Sequence, residues 1–190
     1  VRKLPTLFQR DPDDRAHVLP EVNPVCQWVL DGFGVPTRKY DGTCVMLDEA
    51  GDWWARREVK PGKTPPPDFV PVETDQVTGK TMGWEPIARS AFARWHAEAV
   101  AGAAPEYGFA PGTYELVGPK INGNPERRDG HHLIAHRSAE EFLLLERTFE
   151  ALRDQLLAFH ALDGCEGVVF QHPDGRMAKL KARDFRRTVG

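Results

Sequence analysis

Lys39-Tyr40-Asp41-Gly42 sets a lysine just ahead of an Asp-Gly turn, and a lysine amine held in place can attack an electrophilic phosphorus. A chain of 190 residues contains Lys-x-Asp-Gly by chance on the order of a few per cent of the time. Taken alone, the tetrapeptide reads as a surface lysine before a tight turn. A lysine nucleophile also needs help. With an ordinary pKa near 10.4, only about one amine in 2,500 is neutral at pH 7, a deficit of roughly 4.6 kcal/mol. Neighbouring cations reduce it by disfavouring a further ammonium.

Lys179 and Lys181 can be those neighbours, because alternate residues of a regular strand share a face; otherwise they are the charges of a solvated strand edge. Glu166 precedes the apolar run Gly167-Val168-Val169-Phe170, so its carboxylate stands at the mouth of a buried strand, where a hard divalent cation can be held. Glu115 is placed similarly before Leu116-Val117; either glutamate can equally be a strand-end carboxylate paired with Arg or Lys. Arg56 offers a planar guanidinium suited to phosphate, and Arg57 points to the opposite face. Of the adjacent Trp53 and Trp54, at least one ring belongs to the core. His131 and His136 raise a zinc reading, disfavoured because no cysteine lies near.

Four elements follow in order: Lys39-Tyr40-Asp41-Gly42, Glu115-Leu116-Val117-Gly118, Glu166-Gly167-Val168-Val169-Phe170 and Lys179-Leu180-Lys181. In this order and in strand contexts they resemble motifs I, III, IV and V of the covalent nucleotidyltransferase superfamily of ligases and capping enzymes. Trp54-Ala55-Arg56, Gly83-Trp84, Asn122-Gly123-Asn124-Pro125 and the stretch from His131 to His136 resemble one branch, the compact ATP-dependent 5′-3′ RNA ligases first recognised in vertebrates. The resemblance runs from about Arg38 to Arg183.

It implies a single nucleotidyltransferase domain over residues 1–190, with an ATP-grasp-like ligase core of mainly antiparallel sheets and flanking helices. It also implies ATP and Mg²⁺ or Mn²⁺, and RNA with 5′-phosphate and 3′-hydroxyl ends. Lys39 would become lysyl-AMP, AMP would pass to the RNA 5′-phosphate, and the 3′-hydroxyl would displace it. By the same resemblance Lys179 and Lys181 neutralise the α-phosphate, Glu166 holds metal or metal-bound water, and Glu115 accepts a ribose hydroxyl. Asp41 shapes the turn and orients the lysine, Arg56 reaches nucleotide or RNA phosphate, and Val169 forms one adenine wall. Relatives carry an aromatic on the opposite wall; here that region offers His131, His132 and Leu133, and His131 is the candidate. Only nine residues follow Lys181, so the oligonucleotide-binding-fold domain of DNA ligases and capping enzymes is expected to be absent. The rival expectations are another superfamily enzyme, a DNA ligase or guanylyltransferase, and a non-catalytic RNA-binding module on this fold.

The elements that must position these residues are strands. Thr43 to Leu47 and Trp53 to Val59 are β-branched and apolar around a hairpin-like Asp48–Asp52 link, which puts Lys39 just before a strand. Gly112 to Val117, His131 to His136, Gly167 to Gln171 and Met177 to Lys181 read as further strands, the last two joined through Pro173-Asp174-Gly175. Ser90 is a cap for a helix to about Gly102 with Phe92, Trp95, Ala99 and Val100 as its stripe, and Thr148 for one to about Ala161 with Leu152, Leu156 and Phe159 inward. Before Lys39 the chain reads as an irregular lead-in with one short helix near Val25 to Val29, and the segment Pro61 to Pro71 reads as a loop whose Lys60 and Lys63 can touch phosphate. The order predicts one α+β domain.

A formal net charge of -3 argues against a protein that coats nucleic acid by general basicity. The cations Arg176, Lys179, Lys181, Arg183, Arg186 and Arg187 crowd the C-terminal end and allow a local polyanion face. Cys26, Cys44 and Cys165 are too scattered for a disulfide framework or zinc knuckle. No stretch approaches the roughly 20 apolar residues of a membrane span, and the opening residues lack a signal-peptide core. The expectation is therefore a cytoplasmic protein without a membrane partner.

Overall fold

A computed structural model describes residues 3–103, 108–143 and 146–185; Arg186 and Arg187 of the expected basic cluster lie outside them. The protein is α+β with mostly antiparallel sheets and few helices. No helix among the described residues is long and apolar enough to cross a membrane. The chain forms two compact units. One comprises Asp41–Ser138 with the N-terminal Lys3; the other comprises Leu4–Tyr40 and the segment beginning at Ala139. The chain thus passes between units at Lys3–Leu4, at Tyr40–Asp41 and again at Ser138–Ala139.

The discontinuous unit holds a hairpin of β1 (Phe8–Arg10) and β2 (Val18–Val22), and a sheet in which β10 (Gly167–Gln171) pairs antiparallel with both β11 (Met177–Lys181) and β3 (Val35–Lys39). Lys39 is therefore the last residue of one strand as well as the forerunner of the next, and the lead-in is far more regular than its prolines suggest. Alternation divides the three-stranded sheet cleanly. Val168, Phe170, Ala178 and Leu180 are fully buried in a core with Leu7, Phe8, Trp28 and Val29. Helix α3 (Phe149–Asp163) adds Leu152 and Leu156 to this core. The Thr148 hydroxyl caps α3 by accepting the Ala151 N–H at 3.2 Å, and Gly164 ends it at φ 78°.

The continuous unit carries a six-stranded sheet in the order β6 (Val70–Thr74), β7 (Thr81–Pro86), β5 (Trp53–Val59), β4 (Thr43–Leu47), β8 (Gly112–Val117), β9 (His132–Ala135). One face packs Val45, Leu47, Tyr114 and Leu116 with Ala99 of helix α2 (Ala93–Ala101), Phe92 and Trp95. Helix α2 begins at Ala93, later than a Ser90 cap requires, because the Ser90 hydroxyl turns the chain there: it accepts the Phe92 N–H at 3.1 Å and donates to the Ile87 carbonyl. Strand β6 falls at the end of the segment read as a loop. Its Pro71 is tolerated because β6 is an edge strand.

Candidate active site

Three strands bring Lys39, Glu166 and Lys181 together. Lys39 and Lys181 are both in register with Gly167, on either side of it, so the two side chains rise from one face and flank a residue without a side chain. Glu166, one step before, turns its carboxylate into that space. Its Oε2 accepts from Lys39 Nζ at 2.5 Å, and its Oε1 accepts from Lys181 Nζ. The cluster is largely withdrawn from water, with side chains 21%, 10% and 14% exposed for Lys39, Glu166 and Lys181. Burial pushes the Glu166 carboxyl upward, but the Lys39 charge and the hydrogen bonds from both lysines outweigh it and hold the group below its ordinary range.

Gly167 is required here. A Cβ on it would meet the Leu180 carbonyl oxygen and the Lys181 Cα. One step along the same face, Val169 lies between Thr37 and Lys179 in register, half-buried. The Thr37 hydroxyl donates to the Val169 carbonyl at 3.0 Å. Strand β11 is a regular strand, so Lys179 and Lys181 do share a face, and the Lys179 backbone is tied on its outer side to Pro5 and Leu7. On the opposite face, Arg38 binds Asp163 at the end of α3 at 2.5 Å, fixing the strand whose next residue is Lys39.

In the continuous unit a second group forms around Glu115, which is 9% exposed. Its Oε1 accepts the Gly42 N–H at 3.0 Å, and its Oε2 lies 3.0 Å from His136 Nε2. Nδ1 of His136 lies 2.9 Å from the Thr113 hydroxyl, which suits a tautomer donating from Nε2 to the carboxylate. The Asp41 carboxylate accepts from Asn122 Nδ2 at 2.9 Å, and the Asp41 N–H donates to Glu126 at 2.8 Å. Asn122 also donates to the Gly42 carbonyl. Thus the Asp-Gly turn is clamped on both residues.

Arg56 lies on the face of the sheet that carries Glu115. The registers of β4 with β8 and with β5 put Glu115, Cys44 and Arg56 in one row. Its buried Nε has no hydrogen-bond partner among the described residues. Such a donor costs about 1–3 kcal/mol unless something accepts from it. His131 is 6% exposed and engaged on every side: Nδ1 lies 2.9 Å from Glu98, Nε2 accepts the Lys120 N–H at 3.3 Å, and the ring stacks on Trp95 at 4.8 Å.

The contact between His136 and Glu115 was not foreseen from the sequence, where His136 figured as the end of a strand and of the ligase-like stretch and in a zinc reading; nor was the hold of Glu126 on Asp41. The signal for His136 existed: once β8 and β9 are neighbours, alternation puts His136 beside Thr113, one diagonal from Glu115. Fold and site together define an α+β protein whose three-stranded sheet displays a half-buried lysine pair on one glutamate. No protein-family model matches the chain, and no curated protein matches it.

Proposed function

We propose that the protein is an ATP-dependent RNA ligase that works through a lysyl-AMP intermediate on Lys39. The observation carrying this reading is the pair of lysines on one withdrawn carboxylate at the end of β3, Lys39 with Glu166 and Lys181. A staple for stability alone would gain little from two cations sharing one buried acid, since desolvation offsets much of the attraction. A nucleophilic amine gains a partner that fixes its position and a companion cation that disfavours its ammonium form.

In the first step Lys39 Nζ, positioned by Glu166 and having lost its ammonium proton to water, attacks the α-phosphorus of ATP. The N–P bond forms as the bond to pyrophosphate breaks, and the remaining excess proton passes from the nitrogen to water as the phosphoramidate forms. Lys181 and Lys179 meet the charge of the α-phosphate from one face, in-line attack being favoured by positioning and electrostatics. AMP then passes to an RNA 5′-phosphate, and an RNA 3′-hydroxyl displaces it.

In this reading Val169 lies against adenine, Glu115 accepts from a ribose hydroxyl, and Arg56 directs its unsatisfied Nε to a phosphate oxygen. Asp41 holds the turn, and His131, locked between Trp95 and Glu98 of α2, supports the chain leading into β9. Among the described residues no three metal-ligating side chains gather. In this reading Glu166 would also contribute a ligand to a hard cation, Mg²⁺ or Mn²⁺, which when bound would neutralise developing phosphate charge.

Protein freed of bound AMP, incubated with α-labelled ATP and Mg²⁺, is expected to retain the label on Lys39 and release pyrophosphate, whereas Lys39→Ala retains none. Labelled GTP in parallel separates a guanylyltransferase, and nicked RNA against nicked DNA separates a DNA ligase. Wild type that takes no label from any nucleoside triphosphate would overturn the catalytic reading.

A further inference from the structure

The link between β8 and β9 is held in an unusual way. Asn122, Gly123, Asn124 and Arg127 all have positive φ, at 48°, 79°, 62° and 51°. Three of these are not glycine, a density of left-handed backbone that persists only where surrounding contacts over-determine it. Those contacts face inward. Asn122 and Glu126 grip the Asp41-Gly42 turn, and Asn124 brackets Arg128 by accepting its N–H at 2.9 Å and donating to its carbonyl at 3.0 Å.

What the loop turns outward is cationic. Lys120, Arg127 and Arg128 are exposed, and among the described residues none of them has an ion-pair partner. Of the two acids beside them in sequence, Glu126 accepts the Asp41 N–H, and Asp129, next to Arg128, is exposed. A loop that invests in strained backbone to present guanidinium groups, and is bolted to the turn two residues after Lys39, has the composition of a polyanion grip in a chain whose net charge is -3.

We infer that the loop from Pro119 to Gly130 is an RNA-phosphate-binding element, with Arg127 and Arg128 as its contacts. The choice of RNA as the polyanion rests on the ligase reading. The backbone contacts are sequence-independent, so they position the strand and leave base identity unread.

The test is the double variant Arg127→Asn with Arg128→Gln. Asparagine tolerates the left-handed backbone at 127, so charge is removed without adding strain; cooperative urea unfolding near the wild-type midpoint verifies the fold. The probe is a short 5′-phosphorylated oligoribonucleotide, with affinity read by fluorescence anisotropy over a salt series. The expected result is affinity lower by about tenfold at low salt and a log–log salt slope shallower by roughly 0.7 for each phosphate that the variant no longer neutralises. Lysyl-AMP formation from labelled ATP without RNA should stay within about twofold of wild type. Unchanged RNA affinity and slope, with normal labelling, would overturn the inference and leave the ligase reading intact. Absent labelling in both proteins, with the weaker RNA binding still seen, would overturn the ligase reading and support the RNA-binding loop.

Discussion

At the scale of single residues, Glu166 is the centre of the lysine cluster because it serves two ammonium groups at once. Replacing it with glutamine keeps shape and hydrogen-bonding capacity but removes the countercharge from two lysines that are 21% and 14% exposed. Glu166→Gln is expected to reduce lysyl-AMP formation by about 10²-fold, the scale for misplacing a reacting group by about an ångström. It should also destabilise the protein at neutral pH by about 1–3 kcal/mol, less than for a fully buried pair because water still screens the lysines. The pH dependence has a definite sign. Since the folded carboxyl lies below its ordinary range, the unfolded chain binds more protons in the acid window. The Glu166 contribution is therefore complete above about pH 4.3 and disappears as pH falls through the folded value. Urea midpoints of wild type and Glu166→Gln should differ at pH 7 and converge only as pH falls through the lowered folded value of Glu166; a gap constant with pH would show that the carboxylate charge is not what holds the cluster. Removing Lys39 as well should recover part of the loss in a double-mutant cycle, because the amines then no longer repel.

Elements decide whether those residues meet, and strand β10 is the one that matters most. With Lys39 and Lys181 in register on either side, Gly167→Ala is expected to push β11 away, costing about 1–3 kcal/mol by overpacking and lowering adduct formation. Gly175→Ala provides the contrast. Gly175 has φ 90° in the β10–β11 turn with nothing close to an added Cβ, so it should lose about 1 kcal/mol to backbone strain while labelling normally. Equal loss of labelling in both variants would mean that general stability, and not the approach at Gly167, controls the site. These strands were legible in the sequence, as were β4, β5 and α3, because each alternates or repeats over its own length and is bounded by a turn or cap. Strands β1, β2, β3 and β7 were not legible. Val35-Pro36-Thr37-Arg38-Lys39 has no apolar run, and its Phe170 and Val168 partners lie far along the chain; β7 is interrupted by Gly83 and ends on Pro86. The lysines and glutamates stood out through the order of their motifs, whereas His136 did not, because its role depends on which strand lies beside β8.

For the whole molecule, the two units differ in how the chain enters them. The six-stranded sheet, α2 and their core lie within one continuous stretch, 41–138. The other unit joins the stretches before and after it, and its central contact, Lys39 to Glu166, spans 127 residues. Loop-closure entropy must be met before such a contact returns anything, so the strands carrying the lysine cluster are expected to assemble after the continuous sheet. The separation also predicts what survives dissection. A fragment spanning 41–138 keeps every strand of its sheet and its own apolar core. From outside it loses Lys3, whose ammonium meets Asp75 at 3.0 Å but is 62% exposed, a surface pair worth about 0–1 kcal/mol. That is too little to decide folding of a domain of this size. The fragment should therefore show a β-type far-UV spectrum and a single cooperative urea transition, and it should take no label from ATP because Lys39 is absent. The segments 1–40 and 139–190, each holding only part of a sheet whose middle strand needs both neighbours, should be unfolded when made alone. A non-cooperative 41–138 fragment would show that its core needs the remainder of the chain, and that the continuous sheet cannot form ahead of the lysine cluster.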